Sequence, residues 1–243
     1  MMSTLGIVQA RMDSTRLSGK VLRRLSGRTV LDRVIRAAQA SEVLDQLVVA
    51  TTEEPLDDQI VAECERIGVP VYRGPVDDVL ARFLGVLDEY ESDVVLRFTA
   101  DSPLLDPELI ALAVKVFTAA PYVDYLSTSI HRTLPRGLDV EVVRTDVLRS
   151  IDKLATDYHR THVTSYIYSH PEDYTVLGLT LQPDLSHLRL TLDTPEDWAL
   201  IEAVIAHFGD QAVPVRTLTD WLAHRPELTA LNAHVEQKAL VQA

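Results

Sequence analysis

The stretch VQARMDSTRLSGK, residues 8–20, follows an apolar run containing Leu5, Ile7 and Val8. It carries three cations, Arg11, Arg16 and Lys20, in a loop just beyond the carboxyl end of an expected first strand. Ligands of open α/β sheets bind outside the carboxyl ends of strands. Arginine offers planar, multidentate donors and lysine a mobile point charge, so such a loop suits a polyphosphate. It holds neither G-x-G-x-x-G nor G-x-x-x-x-G-K-[ST], which argues against the two common glycine-rich phosphate cradles. Two aspartates have matching positions. Asp101 follows the apolar run ending at Thr99, and Asp193 follows LRLTL. Taken singly, Asp193 reads first as a turn or cap residue. Taken with Asp101 and the three cations, the pair reads as a Mg²⁺ site, because Mg²⁺ takes one or two carboxylates plus phosphate oxygens and water.

Two further groups are candidates for gripping a substrate. In PRGLDVEV (135–142), Arg136 precedes Asp139 and Glu141, which would share a face if both lie on one strand. They fit either a polar, hydroxylated acid or the exposed edge of a half-buried strand. In YHRTHVTSY (158–166), His159 and His162 stand three apart on an expected helix without an evident third metal ligand. A surface or interface helix is the plainer reading there, with His162 or Arg160 open to lining a pocket.

The elements that must position these groups alternate. Strands are expected at 47–52, 70–74 and 93–99. Between them lie a helix from about Asp57 to Gly68 and another capped by Asp77 or Asp78. A third helix is capped by Asp106, with Pro107 at its first position. Continuous apolar strands separated by helices predict a largely parallel sheet covered on both faces. After about residue 120 the pattern changes. The stretch 122–182 reads as an insertion with antiparallel pairing and one helix over 158–168, and the chain is expected to rejoin the main sheet as a strand near 187–192. Thr194-Pro195-Glu196-Asp197 then opens a helix, and two short helices follow in the tail. No repeat or low-complexity linker divides the 243 residues, so a single domain over 1–243 is expected.

Composition bounds the function. The chain is 47% hydrophobic and 24% charged with a net charge of −13, a poor general binder of nucleic acid or anionic membrane. Against that balance, the N-terminal cations Arg11, Arg16, Lys20, Arg23, Arg24 and Arg28 suggest a local anionic ligand. Arg33 and Arg36 are expected on the wet face of a helix. The single cysteine, Cys64, reads as buried and structural. No signal-peptide core or membrane-length apolar run is seen, and a cytoplasmic protein is the expectation.

Read together, QARMDSTRLSGKVL, VVATT, VYRG with DDVL, FTADSPLLDP, PRGLDVEV, HVTSYIY and LDTPEDW resemble, in order, the cytidylyltransferases that make CMP-activated sugar acids. The SpsF-like branch is the most similar, and the resemblance runs from about residue 5 to 208. It implies an α/β, nucleotide-diphospho-sugar-transferase-like (Rossmann-like) three-layer sandwich with a mostly parallel sheet and a dimerisation insertion. It implies that Arg11, Arg16 and Lys20 hold the triphosphate, that Asp101 and Asp193 hold Mg²⁺, and that Ala10, Arg73 and Asp78 lie near the nucleoside. A homodimer is implied as well. Three positions depart from the family pattern: Ser18 replaces a proline, Ala100 a glycine, and Thr161 an acidic residue.

The expected reaction is transfer of CMP from CTP to a hydroxyl of a sugar acid, with pyrophosphate released and Mg²⁺ as cofactor, for polysaccharide precursors. Arg11, Arg16, Lys20 and Asp101 are the expected catalytic residues, and Arg136, Asp139, Glu141 and His162 the acceptor-binding ones. Two alternatives are a glycosyltransferase using a nucleotide-sugar and a non-catalytic nucleotide-binding subunit. The first commonly uses D-x-D at the metal, whereas this chain reads Ala100-Asp101-Ser102.

Overall fold

A computed structural model describes residues 2–14 and 16–237. Its centre is a seven-stranded sheet in the order β5-β4-β1-β6-β8-β7-β9. The strands are β1 (Thr4–Gln9), β4 (Gln46–Thr52), β5 (Val71–Gly74), β6 (Val94–Thr99), β7 (Tyr125–Ser127), β8 (Glu141–Arg144) and β9 (Val176–Gly178). A separate two-stranded ribbon pairs β2 (Arg24–Leu25) with β3 (Arg28–Thr29). Within the large sheet only β8 runs against its neighbours.

The sheet is the middle of three layers because its strands are apolar on both faces. Val8, Val49, Leu96 and Phe98 pack toward α1 (Val30–Ala40), α2 (Asp58–Ile67) and α4 (Pro107–Ala119). Leu5, Ile7, Val48 and Val95 pack toward α3 (Val79–Glu89), α5 (Thr145–Ser150) and the short helices α6 (Asp157–Thr161) and α7 (Ser165–Ser169). Helices α8 (Pro195–Phe208), α9 (Val215–Ala223) and α10 (Pro226–Thr229) complete the chain. The predicted caps form: Asp78 accepts from Ala81 N, Asp106 from Glu108 N, and Thr194 with Asp197 makes a capping box.

The sheet order dictates where a ligand can enter. From β1 the chain moves outward through β4 to β5, then crosses back to β6 on the other side of β1. Connections therefore diverge at the carboxyl ends of β1 and β6 and open a crevice there.

Four local expectations are corrected. Residues 188–192 form no strand; the only sheet-like pairing is a single bridge between Arg136 and Arg189. Leu190 and Leu192 are buried as the alternation suggested, but Leu192 N donates to the Asp101 carbonyl at 2.8 Å and ties the segment to the loop after β6. The helix expected over 158–168 breaks between α6 and α7, where the fully buried Val163 takes φ 41°. Strand β8 starts at Glu141, so Asp139 precedes it. The antiparallel pairing expected after residue 120 is that of β8 with β6 and with β7, and β8, β7 and β9 extend the main sheet beyond β6. Arg33 is also buried rather than wet: its guanidinium donates twice to the Leu25 carbonyl and meets Asp210 at 3.3 Å, while Arg36 is exposed.

Candidate active site

The crevice at the β1/β6 switch point is a cavity of about 570 Å³. Strand β1 delivers Gln9 and Ala10, and β6 delivers Thr99, Ala100 and Asp101. The two rims are stitched together, with Ala10 N donating to Ala50 O and Ala100 N to Gln9 O. Ala100 is buried and does not occupy the left-handed region, so its methyl is accommodated without backbone strain.

The basic loop folds over this rim. Met12 N donates to the buried Asp57 carboxylate at 2.7 Å, and Met12 and Leu17 are both buried. These anchors leave Arg11, Arg16 and Lys20 facing the cavity. Lys20 lies in a 3-10 turn (Lys20–Leu22) and is almost wholly buried. Its Nζ stands 2.8 Å from Asp101 Oδ2 and 2.7 Å from Asp193 Oδ1. Two carboxylates separated by 92 residues thus converge on one cation. Arg16 reaches Asp193 Oδ2 at 2.9 Å, and Arg189 reaches the same oxygen at 3.0 Å. Burial alone would lower the Lys20 pKa, but Asp101 and Asp193 outweigh it and hold the ammonium above its ordinary value. Burial would likewise raise Asp193, but Lys20, Arg16 and Arg189 hold it below the ordinary carboxylate range.

Asp193 owes its placement to Asp197, which is fully buried on the first turn of α8. Asp197 accepts from Asp193 N, Thr194 N, both Arg189 Nε and Nη2, and Asn232 Nδ2. Arg189 also donates to Gln237, and Asn232 donates to the Arg189 carbonyl. The C-terminal segment therefore closes one side of the site.

A second cluster lines the same cavity. Arg97 projects from β6 into the cavity, with His162 and Thr161 from the end of α6 beside it. Arg97 Nε donates to Gln9 Oε1 at 3.0 Å, and Nη1 donates to Glu141 Oε1. Glu141 Oε2 in turn accepts from Tyr125 OH and Thr164 Oγ1. Burial, then Arg97 and His159, hold His162 below its ordinary pKa, which favours the neutral imidazole. Arg82 of α3 is also buried at the cavity wall, with Nη1 donating to the carbonyls of Pro75 and Val76.

The structure thus brings Ala10, Arg11, Arg16, Lys20, Asp101, Asp193 and His162 to one cavity. The other named residues lie outside its lining. Arg73 pins the turn after β4 through the Thr52 and Glu54 carbonyls and Asp58. Asp78 caps α3 and meets Arg160, while its neighbours Val76 and Asp77 line the cavity. Asp139 pairs with Arg132 at 2.6 Å, Arg136 lies half-buried at the Arg189 bridge, and Glu141 stands behind Arg97. Arg97, Arg82, Arg189 and Asp197 were missed by sequence reasoning. A signal existed for Arg97, since it is the only charge in the otherwise apolar VVLRFT.

The cytidylyltransferase family model matches residues 5–239. The chain belongs to the cytidylyltransferase family. It is 37% identical over 241 residues to an uncharacterized protein of Methanocaldococcus jannaschii, covering 98% of each chain. It is 36% identical over 214 residues to the spore coat polysaccharide biosynthesis protein SpsF of Bacillus subtilis, covering 84% of this chain and 87% of that one. Among solved structures, a cytidylyltransferase from Leptospira borgpetersenii superposes with a TM-score of 0.90 at 29% identity, over 94% of this chain and 97% of that one. The CMP:2-keto-3-deoxy-manno-octonic acid synthetase complexed with CTP shares the fold, with a TM-score of 0.65 at 15% identity over 84% and 99% of the two chains. The chain is accordingly a nucleotidyltransferase with the three-layer architecture of this family. Among the described residues, no helix is long and apolar enough to cross a membrane.

Proposed function

We propose that the protein transfers CMP from CTP to a hydroxyl of a sugar acid, releasing pyrophosphate, in the making of a polysaccharide precursor. The observation that carries this reading is Lys20 Nζ held between Asp101 and Asp193 at the β1/β6 rim, with Arg11 and Arg16 beside it. The family match supports CTP as the nucleotide. The likeness to SpsF and to a synthetase named for a sugar acid supports the acceptor class.

The donor set fits Mg²⁺. Two carboxylates already meet at a point occupied by a cation, and phosphate oxygens and water complete a typical Mg²⁺ shell. Asp101 and Asp193 would hold the ion, which when bound neutralises charge on the phosphate oxygens. Arg11, Arg16 and Lys20 bind the β- and γ-phosphates and stabilise charge gathering on the departing pyrophosphate. An acceptor oxygen forms a bond to the α-phosphorus as the α–β bridging bond breaks, and the hydroxyl proton is lost to solvent. The protein contributes chiefly position and fixed charge.

Pyrophosphate release from each of four nucleoside triphosphates, with a panel of sugar acids and with Mg²⁺ or a chelator, tests the reading. Release confined to CTP, a sugar acid and Mg²⁺ is expected. Release without an acceptor, or no release from CTP with any acid, would sink it. The same reading includes a homodimer built through residues 122–182, where Tyr122 and Leu154 expose large apolar side chains. A monomeric mass by sedimentation at assay concentration would remove that part.

A further inference from the structure

We propose that Arg97 reads the carboxylate of the acceptor and so makes the enzyme selective for acids over neutral sugars. The inference rests on the transfer reading above and adds the residue that sets its acceptor class.

Arginine in the middle of a central strand is costly unless it is paired. Val94, Leu96 and Phe98 of β6 lie in the core, and on the opposite face Val95 is buried too. Arg97 follows Val95 on that face, and its charge is met by Glu141, its register partner on β8. Gln9, beside it on β1, takes Nε. A guanidinium has five N–H donors, and these contacts use one on Nε and one on Nη1. Among the described residues Nη2 has no hydrogen-bond partner, although Arg97 is a lining residue of the cavity. A side chain that lines the cavity therefore keeps N–H donors to spare on Nη2, and a planar guanidinium with free donors can take a carboxylate in a multidentate grip.

The surrounding groups make this a built donor rather than a stray ion pair. Glu141 cannot drift toward solvent, because Tyr125 OH at 2.8 Å and Thr164 Oγ1 at 2.5 Å fix its second oxygen. Four elements, β1, β7, β8 and the turn before α7, thus hold one guanidinium in orientation. In the transfer reading the phosphates are already held by Arg11, Arg16 and Lys20 of the basic loop, which line the same cavity. Thr161 and His162 line the same cavity, whose volume of about 570 Å³ has room for a hydroxylated body. Glu141 acts through Arg97 and is a positioning residue.

The test uses 2-keto-3-deoxy-manno-octonic acid and N-acetylneuraminic acid, each beside its carboxamide, with CTP and Mg²⁺. In Arg97→Gln the acceptor KM is expected to rise about a hundredfold, the scale of truncating one partner of a buried charged pair, while the KM for CTP stays within about twofold. The preference for acid over carboxamide should collapse. Arg97→Lys keeps a charge facing Glu141 without the fork, so it should fold and show an intermediate loss of preference. Glu141→Gln should raise the acceptor KM less and keep the preference for acid. An equal loss of CTP affinity would put Arg97 on the nucleotide and overturn the proposal. So would a fall in kcat with the acid-to-carboxamide ratio unchanged, which is what a purely structural residue gives. Absence of pyrophosphate release with every acceptor defeats the transfer reading instead. Calorimetry on the CMP-saturated protein then decides Arg97: equal heats for acid and carboxamide, or heats unchanged in Arg97→Lys, overturn the assignment.

Discussion

Lys20 Nζ lies 2.7 Å from Asp193 Oδ1, and the same ammonium bridges to Asp101. It occupies the point between the two carboxylates that the proposed Mg²⁺ would take. Without it, Asp101 and Asp193 would face each other as like charges, with only Asp193 compensated by Arg16 and Arg189. Lys20→Met is therefore expected to lose about 1–3 kcal/mol of stability, less than a fully uncompensated buried pair. Millimolar Mg²⁺ should restore more of the melting temperature in this variant than it adds to the parent. Thermal unfolding with and without Mg²⁺ checks this, and equal Mg²⁺ shifts in both proteins would contradict a shared site.

Among the described residues Asp101, unlike Asp193, has no arginine partner, so its substitution disturbs the fold less. Asp101→Asn keeps the shape and removes the charge. A drop of about two orders of magnitude or more in kcat is expected, the scale of losing a preorganised charge-stabilising group. Steady-state pyrophosphate release reads it directly. Turnover close to the parent's would take Asp101 out of the metal role.

Asp197 stands one step back from the chemistry. It satisfies four donors besides its cap, and Arg189 is buried against it. Asp197→Ala leaves that guanidinium facing Asp193 alone and frees the Asp193 backbone. A loss of about 3–5 kcal/mol is expected, together with a higher Mg²⁺ requirement in activity. Asp197→Asn, which retains acceptor oxygen, should lose less. Chemical denaturation and a Mg²⁺ activation curve separate the two effects; an unchanged Mg²⁺ requirement would mean that Asp193 is placed by other contacts.

Much of this arrangement is legible in the sequence. Continuous apolar strands and their caps announced the parallel half of the sheet, and groups at strand carboxyl ends converge because the topology brings those ends together. What could not be read depends on partners far along the chain. Glu141 answers Arg97 only because β8 docks antiparallel onto β6 in one register. Asp139 and Glu141 seemed to share a strand face, but β8 begins between them and sends one to Arg132 and the other to Arg97. The LRLTL alternation suggested a strand. That segment instead bonds to the Asp101 carbonyl and to both backbone groups of Arg136, which alternation alone does not encode.

The titration of the site has a direction. His159 and His162 are held below their ordinary value of 6.5, mainly by burial. Below pH 6.5 the unfolded chain takes up protons that the folded histidines refuse, so stability falls as the pH drops through that window. Asp193 is depressed from 3.8 by its cations, so its contribution is present above that value and is lost only as the pH falls through the lower folded one. Urea midpoints from pH 7.5 to 3 should therefore decline in two stages. His162→Gln should weaken the first stage and leave the second. A flat midpoint between pH 7 and 5 would exclude the histidine contribution.

Gly137 tests whether the backbone carries the placement of Asp193. Its φ is +96°, and a Cβ there would lie 2.4 Å from Thr191 N and 2.5 Å from the Leu190 carbonyl carbon. Neither atom belongs to a side chain that can swing aside. Gly137→Ala must therefore displace residues 190–191, two positions before Asp193, in addition to the left-handed strain of about 1–3 kcal/mol. Gly68, the C-cap of α2, also has a positive φ of +73°, but among the described residues nothing lies within 4 Å of its would-be Cβ. Gly68→Ala then serves as the control, with comparable strain, a modestly lower melting temperature and a normal kcat. In Gly137→Ala both the melting temperature and kcat should fall, and the Mg²⁺ requirement should rise as Asp193 leaves its position. If the two alanine variants match in kcat and Mg²⁺ dependence, the close approach of 137 to 190–191 does not set the position of Asp193.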